Sequence, residues 1–598
     1  MKKVRYPLLL LTIIVLLCSC NSEKPVSKEV NGDPLEASSS NDVVTTLPGS
    51  EPIFSVDSGF YEDEFELSIS SSKGLRIYYT TDGSLPTNKS AEIENAATLT
   101  VSDRSDKENI YSKISGTTTG TFYAPTIAVD KATIIRAIAY DVDGPVSNVV
   151  TKSYFVGYED KAVYYNKVPV ISLVTAPDNL FDYDTGIYVT GVVFDNWRKS
   201  KEFDPSIRYW HQPANYKNSG TDWEREAHLD FFNENGSIAF SQEVGIRLRG
   251  GASRAFLQKS FNIYARKEYG AKRINYELFT GLTSEYDGSV INSYKSIMLR
   301  NGGNDTELTK IREVLVHKLS SDLDFCTQAS RPAIVFLDEE FWGLYNVQER
   351  YSAEYIESHY GVNKDDVIIV KKDEIDEGNK EDIKEYQSMI AYAVRNNLSD
   401  PEKYDKFCSM MDIESFIDYI SVEIFVGNKD WGSNNVMLWR SRTVDTTGTN
   451  PYADGKWRWM LYDTEYSMGL SYENSLAYDA NYNPSSYDNN TFSTVMKPSS
   501  SIGALFCSLI KNETFYKQFT ATFIDIANTT FSEDTVNHLL SEYADTYRPM
   551  MVDTLLRYCD LSEVEAALQF DYEVNKIRDF FLKRYDYITD ELTALFPN

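Results

Sequence analysis

Between Glu51 and Tyr158 the chain runs in short segments of alternating apolar and polar residues, each stopped by turn formers. That texture confines the segment to β-structure. Phe65-Glu66-Leu67-Ser68-Ile69 alternates, as does Leu75 to Tyr79, and Thr133 to Tyr140 is a further run closed by Asp141-Val142-Asp143-Gly144-Pro145. Asp82-Gly83 and Leu85-Pro86 mark turns between them. About 100 residues of short strands at this spacing predict an immunoglobulin-like sandwich.

A leader precedes this module. Met1-Lys2-Lys3-Val4-Arg5 is followed by an apolar run from Leu8 to Leu17 and then by Cys18-Ser19-Cys20. A basic start and a short apolar run read as a secretory signal over residues 1–19, and the run is shorter than the ~20 residues that span a bilayer core. Leu17-Cys18-Ser19-Cys20 resembles a bacterial lipobox, which implies lipidation of Cys20 and an exported lipoprotein at the outer membrane or cell surface. Residues 20–50, rich in Ser, Asn, Asp, Glu and Val, read as a flexible tether, so the lipid is the only expected membrane attachment. In the module itself, residues 51–158, the string Ile77-Tyr78-Tyr79-Thr80-Thr81-Asp82-Gly83-Ser84-Leu85-Pro86-Thr87 resembles the chitobiase/β-hexosaminidase C-terminal-type module. So do Gly59-Phe60-Tyr61 and Ser153-Tyr154-Phe155. The resemblance implies a spacer or docking role, with glycan contact as the second expectation.

Charge narrows the function. Lys+Arg total 59 against 89 Asp+Glu, a net charge of −30 that disfavours nucleic-acid partners. The four cysteines beyond the leader, Cys326, Cys408, Cys507 and Cys559, form no CxxC pair, and with five histidines a zinc site is not expected. Against that acidic background, Arg247 to Arg273 holds eight cations opposed by Glu268 alone. Gly245 to Arg249 alternates as a strand, turns on Gly250-Gly251, and resumes after Lys259. Cations, a hydroxyl and glycine-turn amides suit a phosphate, which makes Arg249, Ser253, Arg254 and Lys259 candidates. A solvated basic hairpin is the alternative.

Farther along, Leu308, Ile311, Leu315 and Leu319 predict a helix over 306–320 behind Asp305, carrying Arg312 and Glu313. Ile334 to Leu337 and Gly343 to Val347 predict a hairpin around Asp338-Glu339-Glu340, ending near Glu349. A helix from Ile413 to Ile424 leads into the polar loop Asn428 to Asn435, and strands at Val436–Trp439 and Trp457–Tyr462 come next, the second ending in Asp463-Thr464-Glu465. From Ser501 to Asn598 the pattern is helical, with Phe515, Phe519 and Phe523 four apart. Protein kinases present a strand lysine, a helix glutamate, a catalytic aspartate with an asparagine five residues on, and a strand-end aspartate for Mg²⁺. Here that order is Lys259, Glu313 or Glu349, Asp430 with Asn435, and Asp463. Asn434 competes with Asn435 as the metal ligand.

The strings Arg247-Leu248-Arg249-Gly250-Gly251-Ala252-Ser253-Arg254, Gln258-Lys259-Ser260-Phe261, Leu299-Arg300-Asn301, Ile311-Arg312-Glu313, Trp342-Gly343-Leu344-Tyr345 with Glu349-Arg350, Asp430-Trp431 with Asn434-Asn435, and Tyr462-Asp463 together resemble the CotH kinase family over roughly residues 165–590. The resemblance implies a kinase-like fold over residues 159–598 and ATP- and Mg²⁺- (or Mn²⁺-) dependent phosphorylation of exported proteins. It places Lys259, Asp430, Asn435 and Asp463 at nucleotide and metal positions. Where the family's metal motif reads Trp-Asp-x-Asp or Trp-Asp-x-Asn, this chain has Tyr462-Asp463-Thr464-Glu465, with Glu465 as the offered ligand. The expected fold class is α+β, a β-sandwich followed by a two-lobed kinase-like domain ending in helices. The expected function is a surface-anchored Ser/Thr protein kinase acting on exported or surface proteins. The alternative is an inactive kinase fold that binds cell-surface glycans or serves envelope assembly.

Overall fold

The computed structural model describes residues 46–93, 97–114, 124–158, 161, 165, 167–471 and 484–597, and these fold as an α+β protein. The leader, Cys20 and nearly all of the tether lie outside the described residues. Among the described residues the front module has eight strands: β1 (Ile53–Phe54), β2 (Gly59–Tyr61), β3 (Phe65–Ser70), β4 (Arg76–Thr80), β5 (Ala91–Ile93), β6 (Thr98–Val101), β7 (Thr133–Tyr140) and β8 (Val150–Val156). They form two sheets, ordered β2-β8-β7-β4-β5 and β1-β3-β6. Leu67 and Ile69 of one sheet meet Ile77, Ile135, Ala137 and Tyr154 of the other. Period-two alternation puts every second side chain on that inner face.

The outer face of β7 and β8 is covered by the large domain. Ile134 and Phe155 pack with Phe232, Phe336 and Phe341, and the Phe155 ring lies 4.9 Å from that of Phe336. Backbone joins backbone as well: the Ala132 N–H donates to the Glu339 carbonyl at 2.8 Å and the Phe341 N–H to the Asp130 carbonyl at 2.9 Å. The Glu340 carboxylate accepts from the Ser112 N–H at 2.8 Å. Gly83 has φ +77°, and a Cβ there would lie 2.9 Å from the Thr175 carbonyl oxygen, so this approach requires glycine. The module is built onto the domain behind it.

A buried ionic cluster sits at this contact. His228 Nδ1 lies 2.6 Å from Glu243 Oε1 and its Nε2 lies 3.0 Å from Asp230 Oδ1, while Ser153 of the module donates to Asp230 Oδ2 at 2.9 Å. Burial would lower the His228 pKa, but the two carboxylates outweigh it and raise it from 6.5 to about 9. The stabilisation is therefore full below pH 6.5, declines as pH rises and is lost above about 9. Urea unfolding of the wild type is expected to lose roughly 3 kcal/mol across that window through this group. His228→Gln should flatten the decline, and a wild-type profile that stays level would contradict the cluster's charge state.

The first lobe of the large domain is a barrel. Its strands are β9 (Val170–Val174), β10 (Arg225–Phe232), β11 (Ile238–Arg249), β12 (Ser260–Tyr264), β15 (Ser296–Arg300), β16 (Ser330–Leu337) and β17 (Glu340–Glu349), with a short pair β13 (Ile274–Asn275) and β14 (Ser293–Tyr294) outside it. The order β10-β11-β12-β15-β17-β16-β9 closes where β9 meets β10, and the β9–β16 pair alone among these is parallel. One parity of the strands, including Ile171, Leu229, Ile246, Ile263, Leu299 and Val335, forms one cluster. The other, including Val170, Phe232, Ile334 and Leu344, joins the core of the second lobe. β9 and β17 are buried along their whole length on both faces, and β17 carries Asn346, Gln348 and Glu349 inside as well as its apolar residues.

The second lobe carries the sheet β19-β18-β20-β21, made from β18 (Val367–Lys371), β19 (Glu374–Glu377), β20 (Met437–Ser441) and β21 (Arg458–Trp459). The helices that bear on the site and its surroundings are α1 (Arg312–Leu319), α2 (Ala353–Tyr360), α3 (Ile413–Phe425), α4 (Ser501–Leu509), α5 (Glu533–Tyr558) and α6 (Glu563–Leu595). The helix predicted from 306 begins only at Arg312, because Lys310 takes φ +60° and breaks the run. Asp305 still acts as a cap: its carboxylate accepts from the N–H groups of Thr309, Ile311 and Arg312 at 3.1, 3.0 and 3.2 Å. The strand predicted at Trp457–Tyr462 shortens to β21.

Candidate active site

Arg300, at the end of β15, collects three carboxylates. Its Nε and Nη2 donate to Glu313 Oε2 at 3.0 and 2.6 Å, and Nη2 also reaches Asp463 Oδ1 at 3.2 Å and Glu465 Oε1 at 3.3 Å. Glu313 comes from the first turn of α1 and holds the Asp463 backbone N–H at 2.9 Å. That contact supports Asp463 at φ +61°, a conformation unfavourable for a residue other than glycine. Glu465 is accommodated by Gly303, where any Cβ would overlap Glu465 Oε1. One ligand oxygen from each of Glu313, Asp463 and Glu465 lies within 4.8 Å of the others.

The second part is the loop after α3. Asp430 accepts from Asn434 Nδ2 at 2.9 Å and from Asn435 Nδ2 at 3.1 Å. Its own N–H donates to Asn428 Oδ1 at 3.0 Å, and Asn428 Nδ2 donates to Glu423 at 2.8 Å. Burial raises the Asp430 pKa, with the Asp463 charge adding to the rise, so the two aspartates share one electrostatic site. Arg584 of α6 fixes the root of this loop by donating to the Phe425 and Ile424 carbonyls at the end of α3, at 2.9 and 2.7 Å.

Residues 246–588 match the family described as CotH kinase protein. The chain belongs to the CotH kinase family. Residues 65–154 match the family described as Fn3 associated. A search of curated proteins finds no match.

Within the CotH kinase domain, several candidates occupy other places. Among the described residues, Lys259 pairs with no glutamate: its Nζ donates to the Arg254 and Phe256 carbonyls at 2.8 and 2.6 Å and lies over the Tyr216 and Tyr188 rings at 4.4 and 4.9 Å. It is 0% exposed, and burial depresses its pKa well below the ordinary lysine value. The cation–glutamate pair expected of it is made instead by Arg300 and Glu313. Glu349 bonds His359 at 2.8 Å and lines a separate cavity of about 1020 Å³ behind α1 and α2. Arg254 donates to the Lys217 and Asn218 carbonyls, and Ser253 places its Oγ against Gly250 where a Cβ would stand. The basic run as a whole is largely neutralised: Arg247 and Arg266 share Glu224, and Arg273 pairs with Glu354.

Arg249 remains at the site. Its Nε is buried without a hydrogen-bond partner among the described residues, and burial, then the Arg300 and Arg350 charges, lower its pKa to about 10 against the pull of Asp463. Lys371 of β18 stands 4.6 Å over the Tyr462 ring, its pKa brought to about 8 by burial and the Arg249 charge. The three converging carboxylates fit a hard divalent cation, and the Arg249 guanidinium, which offers donors alone, suits a phosphate beside it. Arg300 escapes a reading of the sequence as a site residue because a lone arginine ending an apolar strand resembles a strand terminus. Its partners Asp463 and Glu465 are 163 and 165 residues away.

Proposed function

We propose that this domain transfers the terminal phosphate of Mg²⁺-bound ATP to serine or threonine of exported or surface proteins, from a chain anchored by lipid at Cys20. One observation carries the reading: Arg300 gathers Glu313, Asp463 and Glu465 beside an aspartate, Asp430, whose carboxylate is already oriented by two amides. Asp463, Glu465 and Glu313 would hold the metal, which when bound neutralises charge on the phosphates. Asn434 and Asn435 turn their amide nitrogens to Asp430, leaving their oxygens for a ligand role beside it. Arg249 and Lys371 supply positive charge where the phosphates would lie, since both feel Asp463.

Asp430 takes the acceptor role. Its carboxylate, desolvated and held by Asn434 and Asn435, accepts the hydrogen bond of a serine or threonine hydroxyl and orients that oxygen for in-line attack. Incubating the full chain with γ-labelled ATP, Mg²⁺ and envelope proteins is expected to label serine or threonine. Label confined to inorganic phosphate would overturn protein acceptors, and no release of label at all would overturn the transfer reading.

A further inference from the structure

A polar cavity of about 340 Å³ opens beside the loop that carries Asp430. Its lining joins Lys429, Trp431 and Ser433 of that loop to the segment from Asn489 to Ser500 that leads into α4. Among the described residues thirteen line it; two are lysines and none is a carboxylate. In a chain with 89 acidic residues against 59 basic ones, such a wall is a local reversal of sign.

Among the described residues, neither lysine meets a carboxylate. Lys429 Nζ makes one long contact, 3.4 Å to Asn489 Oδ1, and Lys497 is exposed with no carboxylate partner among the described residues. Burial and then the Lys497 charge hold the Lys429 pKa below its ordinary value, so the two cations oppose each other across the cavity. Ser500 caps α4 here, accepting from the Gly503 N–H at 3.1 Å, and the positive end of that helix adds to the potential. The remaining lining is mostly hydroxyl and amide, which complements an oxyanion and offers an apolar group little.

We propose that this cavity receives an anionic group of the acceptor polypeptide, a carboxylate side chain or a phosphate already on the chain, near the hydroxyl presented to Asp430. The inference rests on the phosphotransfer reading for the identity of the ligand as an acceptor. It makes Lys429 and Lys497 specificity residues and gives the enzyme acidic or previously phosphorylated substrates.

The test uses the full chain and three fluorescein-labelled peptides with a central serine, flanked by Glu, by Gln or by phosphoserine. Without ATP, fluorescence anisotropy should show the Glu or the phosphoserine peptide binding about tenfold or more tightly than the Gln peptide, a difference of ~1.4 kcal/mol. Whichever of the two binds better identifies the source of the anion. Lys429→Gln combined with Lys497→Gln should bring the three peptides to within about twofold, and with ATP it should raise KM for the preferred peptide with kcat unchanged. Equal binding of all three by the wild type, or a preference that survives the double variant, overturns the proposal. Anionic preference without any transfer would instead overturn the catalytic reading, because binding is measured without nucleotide.

Discussion

Asp430→Asn is expected to slow label transfer to serine or threonine by ~10²–10⁴-fold, the range for losing a positioned general base, while ATP affinity stays within about twofold. The substitution keeps the shape of the side chain and removes its charge together with one of the two oxygens to which Asn434, at 2.9 Å, and Asn435, at 3.1 Å, donate. The wild-type rate should also fall on the acid side as Asp430 protonates, at a pH above the ordinary aspartate value because burial and Asp463 raise its pKa. Steady-state kinetics and nucleotide titration of the variant check this. A parallel loss of ATP affinity would place Asp430 among the nucleotide ligands instead.

Arg300→Met should have the largest effect on stability. The residue is 5% exposed and is the common partner of Glu313, Asp463 and Glu465. Removing one member of a buried ionic network costs ~3–5 kcal/mol because the remaining charges stay buried and unpaired. At roughly 2–4 °C per kcal/mol the melting temperature should drop by about 10 °C. The carboxylates left behind form a stronger cation site, so Mg²⁺ or Mn²⁺ should raise the variant's melting temperature by more than the wild type's. Calorimetric melting with and without metal measures both effects. A variant that melts like the wild type, or that gains nothing extra from metal, contradicts the cluster.

How much of the molecule is legible in the sequence depends on how local the signal is. The Thr133–Tyr140 strand is read to the residue because its ends are marked by alternation and by a turn string. α3 is read nearly to its ends because Asp412 caps it and apolar spacing runs through it. The start of α1 is misread because Asp305 caps the helix from across a loop, and only the left-handed Lys310 in between reveals the break. Lys259 resembles a phosphate ligand because it comes after a glycine turn in a basic run. The tyrosines that enclose it, Tyr188 and Tyr216, lie far away in the chain and carry no local mark. The kinase order of Glu313, Asp430 and Asp463 is legible as order. That Arg300 joins Glu313 to Asp463 depends on the barrel closing, which no short window of sequence encodes.

The most direct measurement is a calorimetric titration of the full chain with ATP, with and without Mg²⁺, beside Asp463→Ala. The account predicts binding that depends on Mg²⁺ and weakens by at least about tenfold, ~1.4 kcal/mol, when Asp463 is removed. Metal-independent binding of equal strength in both proteins would contradict a metal–nucleotide site built on Arg300, Glu313, Asp463 and Glu465.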